Sequence, residues 1–544
     1  MNVSPMAVLP MNVEEKGTNV MKILISDPVE QVCTDILTAE GFTVDNKPGI
    51  KPDELKSVIG EYDALVVRSG TQVTADIIAA GTRLKAIGRA GAGVDNINVE
   101  AATRRGVIVM NTPGGNTIST AEHTMSLLLS LARNIPQANE SLKAGKWDRK
   151  KYTGTELFGK TVGVVGLGKV GREVALRCRA FGMHVIGYDP ILAAEVAARE
   201  NIELVSLDVI YQRSDIITVH TPLNDETRHL LGEATLPKCK PGVRIINCAR
   251  GGIVDEAAVL KFLEHGHVSG YAVDVFVKEP PGDLPLLKHP HVVATPHLGA
   301  STEEAQEKVA KQIGQQLADV LKERGIAGAV NGEAVRYAFR SDLRPYIALG
   351  ERLGRLQAQL MTGQLKRLLL GLSGTVPTEA AEAVAASVLT GVLSHRTEQV
   401  NLVNAPLLAK EMGVSLEVGK DGGSSAYTNQ VTLTVETDKE RRTFAGTVFG
   451  NGLVRLVEFD GFKLEVNPEG HLLLYRNVDR PGMLAKVGAE LASAGINIGG
   501  LALGRDKPGQ TALTVISVDT PIPADILGRV GRIEGVFEVR TVSL

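Results

Sequence analysis

VVGLGKVGRE, residues 164–173, is the stretch that decides the fold. Its glycines, Gly166, Gly168 and Gly171, have GxGxxG spacing, follow the apolar run TVGVV (161–165) and open a helical stretch ending near Gly182. The first glycine permits a tight turn, the second lets a pyrophosphate approach the backbone, and the third lets helix and strand pack closely. The phosphates would then sit on the helix N-terminus, where unpaired N–H groups and the macrodipole favour anions. A glycine motif alone is weak; its position between a strand and a helix gives it force. HVIGYDP follows, and its Asp189 lies 18 residues beyond Gly171, close to the ~20 expected of a carboxylate that binds a ribose. Such a carboxylate repels a 2′-phosphate, so the expected dinucleotide is NAD and not NADP.

Working outward, the runs 22–25, 64–67, 85–87 and 107–109 are continuous rather than alternating, two of them opening on a lysine, Lys22 and Lys85. Strands buried on both faces look like this, and they build parallel sheets. Each ends in a polar or glycine-rich turn (SDP, RSG, GRAGAGVDN, NTPGGN), the place where open α/β sheets bind ligands. A helix is expected from Ser119, with Glu122 completing a capping box. Six further runs between 160 and 300 (TVGVVG, HVIGYD, IITVHT, VRIINCA, YAVDVF, HVVAT) form a second α/β unit. A second box, Ser301 with Glu304, starts a helix expected to end near Gly325. Beyond Asn331 the texture changes to Leu/Ala-rich helix and alternating strands such as VTLTVET, separated by GKDGGSS and FGNGL. From His471 the order strand, helix, strand, strand, helix, strand fits a ferredoxin-like module. The expected division is a disordered leader (1–20), a substrate domain (21–119 and 301–327), a nucleotide domain (120–300), an intervening domain (328–468) and a terminal module (469–544).

The chain has 544 residues, too many for a single core. A net charge of −3 and 4% aromatic residues give no reason to expect nucleic acid or an anionic membrane as partner. The four cysteines are widely spaced, which suggests neither a metal site nor a disulfide framework. No apolar run reaches the ~20 residues of a membrane helix, and the first twenty residues lack the character of a secretory or transit signal. The cytoplasm is the expected compartment.

Three ionisable residues close strands of the second unit: Arg250 after VRIINCA, Glu279 after YAVDVFVK and His297 after HVVATP. Singly each has a plain structural explanation. Beside a nicotinamide nucleotide they supply what alcohol oxidation requires. A neutral imidazole can take the hydroxyl proton as hydride leaves. A carboxylate on the other ring nitrogen fixes the tautomer, and an arginine can grip a substrate carboxylate with its planar fork. Arg68 and Arg89 also end strands, as a phosphate-bearing substrate would need.

GRAGAGVDNI, VGLGKVGRE, NCARGGIVDE, DVFVKEPP and PHLGAST, in this order, resemble the D-isomer-specific 2-hydroxyacid dehydrogenase family, and within it the long branch acting on phosphoglycerate. The resemblance implies two Rossmann-like domains and a catalytic trio of Arg250, Glu279 and His297. It places NAD against Ala92, Lys169, Val170, Asp189, Thr221, Cys248, Ala249, Arg250, Asp274, His297 and Ala300. Substrate contacts fall on Arg68, Ser69, Arg89, Gly91 and Arg250, with Arg149 offered to a neighbouring subunit's site. The implied reaction is oxidation of 3-phosphoglycerate in a homo-oligomer, dimer or tetramer. NVDRPGMLAKV followed by GINI resembles an ACT domain, whose serine-binding positions fall on Asn477, Asp479 and Asn497, although Asn and Asp before Pro-Gly also form turns. A glyoxylate or hydroxypyruvate reductase would share the trio but lack the terminal modules. An NADH-sensing corepressor on this fold would carry a disordered tail in their place.

Overall fold

The structure is a computed structural model describing residues 20–394, 400–420 and 426–544; nearly all of the expected leader and most of the GKDGGSS loop lie outside the described residues. The chain divides into two compact units, one formed by Gly91–Gly93 with Thr112–Gln312, the other by the remainder.

In the latter unit, strands β1 (Lys22–Ile25), β2 (Thr43–Asn46), β3 (Ala64–Val67), β4 (Ala86–Arg89) and β5 (Ile108–Met110) form a parallel sheet ordered β2-β1-β3-β4-β5. Leu24, Leu65, Ile87 and Val109 stack in its core. Strand β2 has no apolar run behind it, because it is an edge strand whose side chains stay half-exposed or exposed.

The other unit holds β6 (Thr161–Val165), β7 (His184–Tyr188), β8 (Glu203–Leu204), β9 (Ile216–Val219), β10 (Val243–Asn247), β11 (Val268–Val273) and β12 (Val292–Ala294), ordered β12-β11-β10-β9-β6-β7-β8. The chain runs outward from β6 in one direction and then from β9 in the other. The crevice between their carboxyl ends is therefore a topological switch point, where doubly wound sheets take dinucleotides. Helix α1 (Thr117–Arg133) packs on α2 (Lys169–Ala180) through Met125, Leu128, Val174 and Cys178. The box expected at Ser119 does not form: α1 begins two residues earlier, and the Ser119 hydroxyl turns back to the Asn116 carbonyl. Helix α3 (Glu303–Leu321) is likewise capped one residue later than expected, by the Thr302 hydroxyl accepting from Ala305 N–H, and it stops short of Gly325.

Beyond α3, helices α4 (Arg344–Leu360) and α5 (Ala380–Leu393) cover a six-stranded sheet. Its strands are β13 (Leu365–Gly374), β14 (Ser415–Lys420), β15 (Asn429–Thr437), β16 (Arg441–Val448), β17 (Val454–Phe459) and β18 (Phe462–Val466), ordered β14-β13-β15-β16-β17-β18. The terminal module is βαββαβ: β19 (His471–Val478), α6 (Met483–Ser493), β20 (Ile498–Arg505), β21 (Thr511–Val518), α7 (Ala524–Gly531) and β22 (Val536–Ser543), with antiparallel order β20-β21-β19-β22. One face of this sheet, through Leu473, Tyr475 and Ile516, meets α6 and α7. Leu472, Leu474, Leu513, Val515 and Val542 on the other face join the core of the six-stranded domain. Arg442 and Arg476 bind Asp460 and Glu538 across that seam.

Candidate active site

The glycine loop has the geometry its spacing predicts. Gly166 has φ +90°, and a Cβ there would lie 2.6 Å from the His220 carbonyl. A Cβ on Gly171 would come within 1.9 Å of the Gly166 carbonyl, so helix and strand meet too closely for any side chain. Gly168 differs: nothing lies within 4 Å of its Cβ position, leaving open space before the N-terminus of α2 that suits a pyrophosphate. The Asp189 carboxylate ties this loop to the end of β7, accepting from Leu167 N–H at 2.8 Å and from Ile191 and Leu192 N–H at 2.9 and 3.0 Å. Burial alone would raise its pKa, but these N–H groups hold it below the ordinary value. The Thr221 hydroxyl, beside Gly166, is buried with no hydrogen-bond partner among the described residues. The residues present therefore fit a dinucleotide. Lys169 Nζ reaches the Pro113 carbonyl, and burial pushes the Cys248 thiol up to about 12. His220, behind the loop, bonds Thr218, and burial brings its imidazole down to about 4.

Strands β10, β11 and β12 are parallel neighbours, so the turns carrying Arg250, Glu279 and His297 fall along one edge. His297 Nδ1 lies 2.8 Å from Glu279 Oε2, and Glu279 Oε1 accepts from Phe276 N–H at 3.1 Å. With the carboxylate accepting, the network assigns a proton to Nδ1 and leaves Nε2 as the basic nitrogen. The side chains of His297 and Glu279 are 43% and 39% exposed, open enough to meet a substrate. Arg250 donates to the Ala249 carbonyl at 2.7 Å, and Asn247 holds the Arg250 carbonyl.

His297 occupies a left-handed conformation, φ +56°, that a side chain rarely adopts. A buried aspartate accounts for it. Asp274, expected to meet the nucleotide, has a side chain only 1% exposed. Its Oδ1 accepts from the Thr295 hydroxyl at 2.5 Å and Leu298 N–H at 2.8 Å, and its Oδ2 from Gly299 N–H at 2.8 Å. Sequence reasoning missed His123, whose Nε2 lies 3.1 Å from the same Oδ1. A helical histidine six residues into α1 carries no mark of such a role.

In the other unit, Arg68 and Arg89 meet around one asparagine. Asn96 donates to the Arg68 and Thr71 carbonyls and accepts from Arg89 Nε at 2.8 Å. Buried Asp27 accepts from Arg68 and Thr71 N–H and from the Thr71 hydroxyl. Ser69 thus sits on a braced turn. Gly91 accepts from Thr112 N–H, Ala300 ends the turn after His297, and Arg149 is exposed on a short 3-10 helix.

The effector positions are not brought together within one chain. Asn477 pairs with Ala512 on β21, whereas Asn497 adjoins Asp519, seven residues on and just past the end of that strand, or about 24 Å at ~3.4 Å per residue. Asn477 is buried with its Oδ1 unpartnered, Asp479 accepts from Gly509 N–H, and Asn497 donates to Asp519.

Comparison with known proteins agrees with this geometry. Residues 125–299 match the D-isomer specific 2-hydroxyacid dehydrogenase NAD binding domain, 342–460 the D-3-phosphoglycerate dehydrogenase intervening domain, and 471–535 the ACT domain. D-3-phosphoglycerate dehydrogenase of Methanocaldococcus jannaschii is 40% identical over 96% of this chain and 100% of its own. That of Synechocystis is 41% identical over 96% and 95%. The chain belongs to the D-3-phosphoglycerate dehydrogenase family. A glyoxylate reductase from Paecilomyes thermophila, covering 57% of this chain and 98% of its own, superposes with a TM-score of 0.53 at 30% identity. The enzyme is accordingly an NAD-dependent oxidoreductase. The matched intervening and ACT domains set it apart from the shorter reductase and the corepressor considered from sequence. Among the described residues, no helix is long and apolar enough to cross a membrane.

Proposed function

We propose that this chain oxidises 3-phospho-D-glycerate at C2 to 3-phosphooxypyruvate, the entry to L-serine synthesis, in the cytoplasm. The observation that carries this reading is the His297–Glu279 pair at 2.8 Å, on the same sheet edge as a dinucleotide cradle. When bound, NAD supplies the hydride acceptor, held by the glycine loop and by Asp189, whose carboxylate keeps acceptor capacity for ribose hydroxyls. His297 Nε2 takes the C2 hydroxyl proton as the hydride departs and the C–O bond becomes a carbonyl. Glu279 stabilises the imidazolium so formed. Arg250 binds the substrate carboxylate and the developing carbonyl oxygen, while Arg68, Ser69, Arg89 and Gly91 serve the phosphate end of the substrate. Arg149 completes a neighbouring subunit's site. Turnover tests it: the parent oxidises 3-phosphoglycerate with NAD in preference to NADP, and His297→Ala lowers kcat by about 10³-fold. Near-normal kcat in that variant would remove His297 from the mechanism.

The chain works as a homo-oligomer in this reading. Ile135, Leu142, Trp147 and Phe158 are large apolar side chains left exposed, and so are Ile498, Leu501 and Leu503 on the sheet-edge strand β20, whose Gly504 end packs against Lys463 of β18. Pairing two ACT modules along β20 brings Asn497 of one chain toward Asn477 and Asp479 of the next, and the unpartnered Asn477 Oδ1 then has a ligand to meet. Serine bound there inhibits by favouring the inactive arrangement. Calorimetric titration with serine should give binding that Asp479→Ala weakens at least tenfold, with uninhibited turnover retained. No heat of binding to the parent would eliminate serine as the effector.

A further inference from the structure

We infer that His123 is a positioning residue for the catalytic base: through Asp274 and Thr295 it holds the left-handed turn that aims His297. The inference rests on the dehydrogenase reading above and adds a residue to its machinery.

The bond directions assign the role. The Thr295 hydroxyl gives its only proton to Asp274 Oδ1, at 2.5 Å. The ionised Asp274 has no proton to give. Both neighbours of His123 Nε2, Thr295 Oγ1 at 3.0 Å and Asp274 Oδ1 at 3.1 Å, are therefore acceptors toward it. Nε2 must carry the proton. It is the donor anchored outside the turn, on α1, whereas Thr295, Leu298 and Gly299 all belong to the turn itself. One helical turn before His123, Thr120 donates from the same helix to the Gly299 carbonyl at 3.1 Å. Helix α1 thus clamps both ends of the segment 295–299, and His297 lies between the clamps. The α1 end of the clamp is a side chain 17% exposed, shielded from competition by bulk water.

Without the Nε2 proton, a buried carboxylate loses a donor and the turn loses one of its two ties to α1. His297 can then relax from φ +56°, moving Nε2 away from the substrate hydroxyl. A displacement of about 1 Å at a reacting group can lower a rate by 10²-fold.

Three variants and a spectrum test this. His123→Leu should lower kcat at least tenfold, while the dissociation constant of NADH, from fluorescence titration, stays within about threefold of the parent. Glutamine can place its amide nitrogen where Nε2 lies, so His123→Gln should recover most of the lost kcat, and His123→Asn, a shorter donor, less. Ring nitrogen shifts of histidine-labelled parent enzyme should show a proton on Nε2 of His123, assigned by its loss in His123→Gln. A leucine variant with kcat within twofold of the parent would overturn the inference, as would glutamine no better than leucine, or a parent His123 protonated on Nδ1 alone. The spectrum needs no turnover. If the parent fails to oxidise 3-phosphoglycerate, the substrate reading falls while the nitrogen shifts still judge His123.

Discussion

Two turns, one in each unit, are built on the same device. Asp27, after β1, fixes the turn Arg68–Thr71 that follows its neighbour β3, and Asp274, after β11, fixes the turn Thr295–Gly299 that follows its neighbour β12. Each aspartate is buried and each accepts from a threonine hydroxyl and two N–H groups of the turn. They differ in what they hold. Asp27 braces an ordinary backbone that presents a long, flexible arginine, and a cation on such a stem can adjust its reach. Asp274 braces a positive-φ residue whose ring must meet one proton, and it has a further donor, His123, anchored on a helix outside the turn. Both turns are also tied to a residue outside them, the first to Asn96 through the Arg68 and Thr71 carbonyls and the second to His123 on α1.

The sharpest way to break this comparison is to remove each aspartate. Asp274→Ala should lower kcat by about 10²-fold with a modest change in KM for 3-phosphoglycerate, because the base is misplaced. Asp27→Ala should chiefly raise that KM, because a looser Arg68 weakens binding in ground and transition states alike. Steady-state kinetics showing the reverse pattern would dissolve the distinction.

A smaller effect separates the two turns by space. A Cβ on Gly70 would lie 2.8 Å from Asp27 Oδ1, whereas one on Gly299 would lie 3.3 Å from Asp274 Oδ2. Gly70→Ala should therefore cost about 1–3 kcal/mol, as overpacking does, and Gly299→Ala less than about 1 kcal/mol. Urea unfolding of both variants decides the order.

Acid gives the smallest effect. Burial opposes ionisation of Asp274, but the bonds from His123, Thr295 and Leu298 N–H leave its pKa below the ordinary value. The unfolded chain then binds more protons than the folded one in that interval, so this contribution is complete above about pH 4 and fades as pH falls through the depressed value. The stability difference between the parent and Asp274→Asn should be constant above pH 4 and narrow below it.

The parallel sheets were legible because their strands are apolar on both faces, and the nucleotide site because each glycine has its own steric reason. Strand β2 was not, since an exposed edge strand of sequence TVDN leaves no apolar trace. The placement of Arg250, Glu279 and His297 in the turns after three strands could be read as well. The polar frames could not: Asp27 and Asn96 behind Arg68 and Arg89, and His123 and Thr295 behind His297, are residues of kinds usually solvated, and only the fold buries or half-buries them. Serine residues at 119 and 301 suggested caps, but Asn116 and Thr302 stand at the helix starts. Asn497 lies at the opposite end of its sheet from Asn477, which a pattern along one chain does not reveal. The run LLLY at 472–475 did carry a signal: in an antiparallel sheet, apolar residues on both faces mean that both faces are covered.

That second covered face has a consequence for how the chain comes off the ribosome. Val542, Val515 and Leu513 complete the core of a domain whose first helix begins at Arg344, and Ser543 exchanges backbone hydrogen bonds with the Gln359 side chain. Domains generally fold as units, in order of synthesis, but here the six-stranded domain cannot close over its core until β22 has emerged. Through almost 200 residues of elongation, the nascent segment carries an apolar surface that its own later sequence must cover, and this is the interval in which a holding chaperone has something to grip.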